Sequence, residues 1–172
     1  LYTLFNKIMS NLKATKRENL SSGSNNKLRA EGLIHGQLLD IRSPEDKLSL
    51  KELELMHHKK TGALFSASVE LVTALRPDES FSDLRLFAEH LGLCFQIKED
   101  LLDVQGNPKI TGKPKGSDER NSRSTFVSVL GEEEATRRHE TELQLSLACL
   151  QRVRGDTSNL ENLARLIATR SN

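Results

Sequence analysis

Apolar residues recur every three or four positions along most of the chain, which is the spacing that places them on one face of a helix. No stretch alternates apolar and polar residues for long enough to indicate a strand. We therefore predict an all-α fold. The predicted helices cover residues 1–12, 28 to about 41, 50 to about 75, about 80 to about 104, from after Gly131 to about 153, and 158 to about 169. A short apolar piece, residues 126–130, leads to Gly131.

Two helix starts are predicted by capping boxes, in which a serine and a glutamate three residues later satisfy each other's free backbone N–H groups. The first box is Ser49 with Glu52, and the second is Ser158 with Glu161. These pairs predict helices that begin directly after Ser49 and at about Ser158.

Two segments lack the helical pattern. Residues 13–27 contain almost no apolar side chain and predict a flexible loop. Residues 105–122 are rich in Gly, Pro, Lys and Asp and predict a second loop. Because no internal repeat is present, we assign residues 1–172 to a single helical-bundle domain.

Composition excludes some classes of function. The net charge is +1 and aromatic residues make up 4% of the chain, so the sequence lacks the basic surface and stacking residues of a nucleic-acid-binding protein. No apolar run approaches the roughly 20 residues that span a membrane. Cys94 and Cys149 lie in apolar helical contexts, which predicts buried free thiols and a cytoplasmic location.

Three carboxylates cluster near the end of the predicted helix 80–104. Glu99, Asp100 and Asp103 lie within about one turn of each other, close to the negative end of the helix dipole, so a bound cation would offset their repulsion. Hard oxygen ligands suit Mg²⁺, which commonly bridges carboxylates to phosphates. The alternative is a solvated acidic helix end with Leu101 and Leu102 packed inward.

Cationic residues follow these carboxylates in the loop. Lys113, Lys115 and Arg123 could hold a phosphate that Mg²⁺ also bridges, although exposed loop lysines are common without any such role. On the helix before, adjacent His57 and His58 cannot both face one metal, and we assign them a structural or surface role.

Several motifs resemble, in order and spacing, the bacterial short-chain trans-polyprenyl diphosphate synthases of the farnesyl and geranylgeranyl type. The resemblance covers about residues 28–170. The motifs are Gly32-Leu33-Ile34-His35-Gly36-Gln37-Leu38-Leu39-Asp40, Lys60-Thr61-Gly62-Ala63-Leu64, Phe95-Gln96-Ile97-Lys98-Glu99-Asp100-Leu101-Leu102-Asp103, Gly112-Lys113 and Arg123-Ser124-Thr125-Phe126.

The resemblance implies an isoprenoid-synthase helical bundle, and a prenyltransferase that condenses an allylic diphosphate with isopentenyl diphosphate with the help of Mg²⁺. It implies that the motif at residues 99–103 is the second aspartate-rich motif of the family and that residues 105–122 form an active-site loop. Gln37 and Asp40 would lie on a neighbouring helix that supports the cavity. The implied roles are metal binding for Glu99, Asp100 and Asp103, diphosphate binding for Lys60, Gln96, Lys113 and Arg123, and a place at the reacting centre for Lys60, Thr61 and Gln96.

Four positions depart from the family pattern. Glu99 stands where aspartate is usual and Arg123 where lysine is usual, while Arg29 and Glu31 stand where a small or apolar helix face is typical. The first aspartate-rich motif does not occur in this sequence, so we expect the C-terminal portion of the family domain, a half site, and no turnover by this chain alone. The full-length family implies a homodimer. The alternatives are a non-catalytic or decayed helical homologue acting as a subunit, a class I terpene cyclase, and a plain helical scaffold.

Overall fold

The computed structural model describes residues 33–42, 47–75, 81–105 and 123–171. Within these ranges the chain forms helices and no strand, which confirms the all-α prediction. The predicted helix 1–12, the predicted loop 13–27 and most of the predicted loop 105–122 lie outside the described residues. The α-helices are α1 (Leu33–Arg42), α2 (Leu50–His57), α3 (Ala63–Leu75), α4 (Phe81–Gln105), α5 (Phe126–Leu130), α6 (Glu132–Leu150) and α7 (Ser158–Thr169).

One predicted capping box is confirmed and the other is wrong. The Ser49 side chain accepts a hydrogen bond from the Glu52 backbone N–H, and Glu52 accepts one from the Ser49 N–H at 2.9 Å. Ser158, by contrast, is the first residue of α7, and the N-cap position belongs to Thr157, whose side chain does not cap the helix. The Ser158 N–H donates to Asp156 Oδ1 at 2.9 Å and not to Glu161, so the reciprocal pair is not formed.

The predicted helix 50–75 is interrupted by a π-helix at His58–Gly62. A π-helix makes i→i+5 hydrogen bonds, which widen the backbone, and such segments are frequent at functional sites. The π-helix contacts α1, α2, α3 and α4. It is therefore the segment around which the helices near the candidate site are arranged.

Two apolar cores lie on opposite parts of the long helix α4, which packs most extensively against α6. The core near the end of α4 includes Phe126, which has no exposed surface. The core near its start is closed by α7. The buried members of the first core are Leu53, Met56, Ile97, Leu101, Phe126 and Ala135, and those of the second are Phe87, Leu91, Leu147, Cys149, Leu150 and Ala164.

A buried polar network also joins the helices. Glu142 on α6 is almost fully buried and is held by His90 Nδ1 at 2.7 Å and by Arg138 Nε at 2.8 Å. Arg138 also donates to Glu54 on α2 at 3.0 Å. A buried carboxylate is tolerated only when it is paired, so this network fixes α2, α4 and α6 relative to one another.

Helix α6 ends three residues before the predicted Val153, at Leu150, and the chain turns through Gly155 with a φ of 105°. A positive φ is also found at Gly131 between α5 and α6, where a residue with a Cβ would be strained. Cys94 and Cys149 are free and buried, as predicted. None of the helices in the described ranges combines the length and apolar content needed to cross a bilayer.

Candidate active site

The best-defined charged pair of the candidate site joins α1 to the π-helix. Lys60 Nζ donates to Asp40 Oδ2 at 2.7 Å, and the Asp40 side chain is nearly buried while that of Lys60 remains partly exposed. The approach of these two segments depends on Gly36, because a Cβ there would lie 2.7 Å from Lys60 Cα and closer still to its nitrogen. Asp40 therefore holds the Lys60 ammonium in one direction and leaves part of it accessible to an anion.

His57, the last residue of α2, is close enough to this pair for both charges to influence its pKa. Its ring stacks on Phe126 with centroids 5.3 Å apart, and neither ring nitrogen has a hydrogen-bond partner among the described residues. Burial is the main cause that lowers the pKa of His57 to about 4; the neighbouring Gln96 side chain opposes this, and the charge of Lys60 reinforces it. His57 is therefore neutral at physiological pH and packs as an aromatic ring, in keeping with the predicted structural role.

The lowered pKa predicts a pH-dependent stability. The unfolded chain takes up a proton at His57 near pH 6.5, whereas the folded chain takes it up only near pH 4, so the unfolded state binds more protons between these values. The free energy of unfolding should therefore fall as the pH drops from 6.5 towards 4, with a His57 contribution of up to about 3 kcal/mol. Urea denaturation at pH 7.5, 6.5, 5.5 and 4.5 measures this decrease in the free energy of unfolding.

The matched variant for this measurement is His57→Gln, which removes the titrating ring. His139 also has a pKa lowered by burial and contributes with the same sign, so His139→Gln serves as the second control. The stability of His57→Gln should depend less steeply on pH than that of the wild type. Equal slopes for wild type and His57→Gln would show that His57 does not titrate in this way.

The segment that precedes α5 is anchored at two points. The Phe126 backbone N–H donates to Asp100 Oδ2 at 2.7 Å, and the Leu48 N–H donates to Ser124 Oγ at 3.1 Å. Because Asp100 is buried and lies near the end of α4, the first contact fixes residues 123–126 against the acidic motif. Arg123, which is exposed, lies on this anchored segment, three residues before Phe126.

The three predicted metal ligands have different surroundings. Asp100 is buried and uses one oxygen to bind the start of α5, whereas Glu99 and Asp103 are partly exposed one turn apart. Glu99 also forms an ion pair with Arg170, the residue that follows α7. In the described part of the chain, no three His, Cys, Asp or Glu side chains lie close enough to hold a metal together. Mg²⁺ needs fewer protein ligands, since it is usually held by one or two carboxylates, waters and substrate phosphates.

The structure brings most of the predicted residues into one region. Lys60 contacts Asp40, the His57 ring stacks on Phe126, and the Phe126 N–H contacts Asp100. Lys60 and Gln96 both influence the pKa of His57, so they lie near its ring. Thr61 lies half-buried in the π-helix beside Lys60. Lys113 lies outside the described residues, so its predicted role is neither supported nor opposed.

Three residues support this region in ways that the sequence did not show. Phe126 was noted only as part of a motif, and the resemblance gave it no role. The burial of His57 is not apparent from the sequence, because the adjacent His58, Lys59 and Lys60 are polar or charged. Arg170 could be found only from tertiary structure, because it is 71 positions away from Glu99.

Comparisons with known proteins give matches in both sequence and structure. The sequence profile of the family described as polyprenyl synthetase matches residues 1–166. A farnesyl diphosphate synthase of Micrococcus luteus is 35% identical over 153 residues, covering 88% of this chain and 50% of the relative. A farnesyl diphosphate synthase of Haemophilus influenzae is 37% identical over 146 residues, covering 81% and 48%.

A solved structure shows the same fold. The geranyltransferase of Helicobacter pylori, crystallised with magnesium and isoprenyl diphosphate, is 28% identical, has a TM-score of 0.75, and is matched over 92% of this chain and 54% of that protein. This chain spans about half the length of the curated relatives it matches.

Proposed function

Since the chain belongs to the polyprenyl synthetase family, we propose that it carries the diphosphate-binding half of a prenyltransferase active site in isoprenoid biosynthesis. The reaction would condense an allylic diphosphate with isopentenyl diphosphate. The observation that carries this proposal is the Asp40–Lys60 pair, which presents a partly exposed ammonium. The charge of Lys60 acts on His57, which stacks on Phe126, and Phe126 in turn contacts Asp100 of the acidic motif.

Lys60 suits the binding of a diphosphate. An ammonium is a compact positive charge with three N–H donors, and the hydrogen bond to Asp40 uses one of them. The paired carboxylate also limits the motion of the Lys60 side chain, so less conformational entropy is lost when an anion binds. Arg123, on the segment anchored by Asp100 and Ser124, is proposed as a further diphosphate contact, together with Gln96 and Lys113.

The donor set of the acidic motif fits Mg²⁺. Glu99 and Asp103 offer partly exposed carboxylate oxygens one turn apart, and Asp100 contributes mainly by fixing α5 beside them. When bound, the metal would neutralise charge on the leaving diphosphate. The protein groups Thr61 and Gln96 would orient polar atoms towards the positive charge that develops on the allylic carbon.

By the family resemblance, these residues make up one part of a site that also needs an isopentenyl diphosphate position and the first aspartate-rich motif. We therefore propose that turnover requires both halves and that this chain by itself binds diphosphate without forming product. A homodimer and a cytoplasmic location are the further expectations from the family resemblance.

Replacement of Lys60 by glutamine should weaken the binding of inorganic pyrophosphate in the presence of Mg²⁺ by about tenfold or more, because a charged hydrogen bond contributes about 1.5–3 kcal/mol. Isothermal titration calorimetry of the full chain measures the change. The matched control is Lys59→Gln, since Lys59 Nζ instead lies 3.1 Å from His35 Nδ1. Equal losses in both variants would indicate general charge attraction, and no loss in Lys60→Gln would refute its diphosphate role.

The proposed need for both halves has a separate test. The chain incubated with geranyl diphosphate, isopentenyl diphosphate and Mg²⁺ should release no farnesyl diphosphate, as measured by chromatography of the extracted products. Farnesyl diphosphate formed at an enzymatic rate, and lost in Lys60→Gln, would show that the site in this chain is complete.

A further inference from the structure

Arg170 makes a contact with the acidic motif that the proposed diphosphate site does not use. It follows the last residue of α7 and reaches the far end of α4, where its Nη2 donates to Glu99 Oε1. Its guanidinium carbon lies 4.2 Å from the centre of the Phe95 ring. Phe95 and Glu99 are one turn apart on α4, so together they form a binding site for a cation. The aromatic ring contacts the cation on one face and the carboxylate contacts it from the side.

This cation-binding site is partly shielded from water. The Arg170 side chain is 20% exposed and that of Glu99 is 42% exposed, and Arg170 Nε is buried without an acceptor among the described residues. A charge pair that is partly removed from water interacts more strongly than a surface pair. Arg170 therefore acts as the resident counterion of the first acid of the motif.

We propose that Arg170 competes with the divalent metal for Glu99, so that metal binding releases the end of α7 and removal of Arg170 tightens metal binding. The proposal rests on the proposed metal role of the acidic motif. Glu99 Oε1 is already occupied by the guanidinium, and a metal ion bound beside it would be repelled by the like charge of Arg170. Binding at two such competing positions is reciprocal, so each cation weakens the other by the same factor.

The first test is a titration with Mn²⁺ in the presence of inorganic pyrophosphate, followed by electron paramagnetic resonance of free Mn²⁺ at constant ionic strength. Arg170→Gln should bind Mn²⁺ about tenfold more tightly than the wild type, and Arg170→Lys should lie between them. Arg165→Gln removes the same charge from an exposed position on α7, so it should leave the affinity unchanged. Equal or weaker binding by Arg170→Gln would overturn the proposal, as would an equal gain in Arg165→Gln.

The second test requires no metal and so separates this proposal from the metal site. Hydrogen exchange of the backbone amides at residues 164–171 should be faster in Glu99→Gln than in the wild type, because the charged partner of Arg170 is lost. Exchange that is unchanged in Glu99→Gln would overturn the proposal whatever the metal does. If no Mn²⁺ binds to wild type or variant, the proposed metal site fails and the competition fails with it, an outcome distinct from binding of equal strength.

Discussion

Substitution of Gly36 by alanine is expected to destabilise the chain by about 3 kcal/mol or more. The added Cβ would lie 2.7 Å from Lys60 Cα and 2.8 Å from the Lys59 carbonyl carbon, both of which belong to the backbone of the π-helix. Backbone atoms cannot turn aside as a flexible side chain can, so α1 must move away from the π-helix. This cost exceeds the roughly 1 kcal/mol that alanine gains over glycine in a helix.

The functional consequence of this movement should be equally large. Asp40 is one turn from Gly36 on α1, so a shift of α1 would break the 2.7 Å contact with Lys60. We therefore expect Gly36→Ala to lose pyrophosphate affinity at least as strongly as Lys60→Gln. Urea denaturation and calorimetry measure the two effects.

Gly92 supplies the control for this substitution. It also lies buried in a helix, but a Cβ there would be 3.5 Å from Gly62 Cα, which is an ordinary van der Waals contact. Gly92→Ala should therefore leave stability unchanged or raise it by up to about 1 kcal/mol. The close approach of α1 would be contradicted if the two alanine variants were equally stable.

Truncation of Phe126 to alanine is expected to cost about 3–5 kcal/mol of stability. The ring has no exposed surface, stacks on His57 and lies at the centre of the core that α2, α4 and α6 share. Removal of the ring would leave a cavity and would expose one face of His57 to it. A loss of this size is a large share of the 5–15 kcal/mol that stabilises a typical domain.

Two companion variants distinguish cavity formation from general damage to the short helix α5. Phe126→Leu keeps much of the volume and should cost less than half as much as Phe126→Ala. Val129→Ala removes atoms from a partly exposed position on the same helix and should cost under about 1 kcal/mol. Equilibrium denaturation of the three variants measures their losses of stability. A loss in Phe126→Ala no larger than that in Val129→Ala would contradict a central role of Phe126.

The sequence predicted the helices because their apolar spacing is a local property. It also predicted the start of α2, where Ser49 and Glu52 are close enough in the chain to form the cap by themselves. At α7 the same four-residue pattern was misleading, since the chain enters that helix one residue earlier, at Thr157. A capping pattern permits a cap, and the direction of the preceding chain decides whether it forms.

The resemblance to a known family identified most of the residues that the structure brings together, including Lys60, Gln96 and the acidic motif. It could not show that the three acidic residues make different contacts. Asp100 binds the backbone of Phe126, and Glu99 pairs with Arg170. Both contacts join residues far apart in the chain, so they depend on packing that no local pattern records.

The π-helix also changes the direction in which the side chains of α3 point relative to those of α2. A π turn takes in one residue more than an α turn, and one residue corresponds to about 100° of rotation around an α-helix. The apolar faces of α2 and α3 are therefore rotated relative to each other, although the two helices form one continuous stretch. This rotation lets Leu53 and Met56 of α2 enter one apolar core while Phe65 of α3 packs against the other.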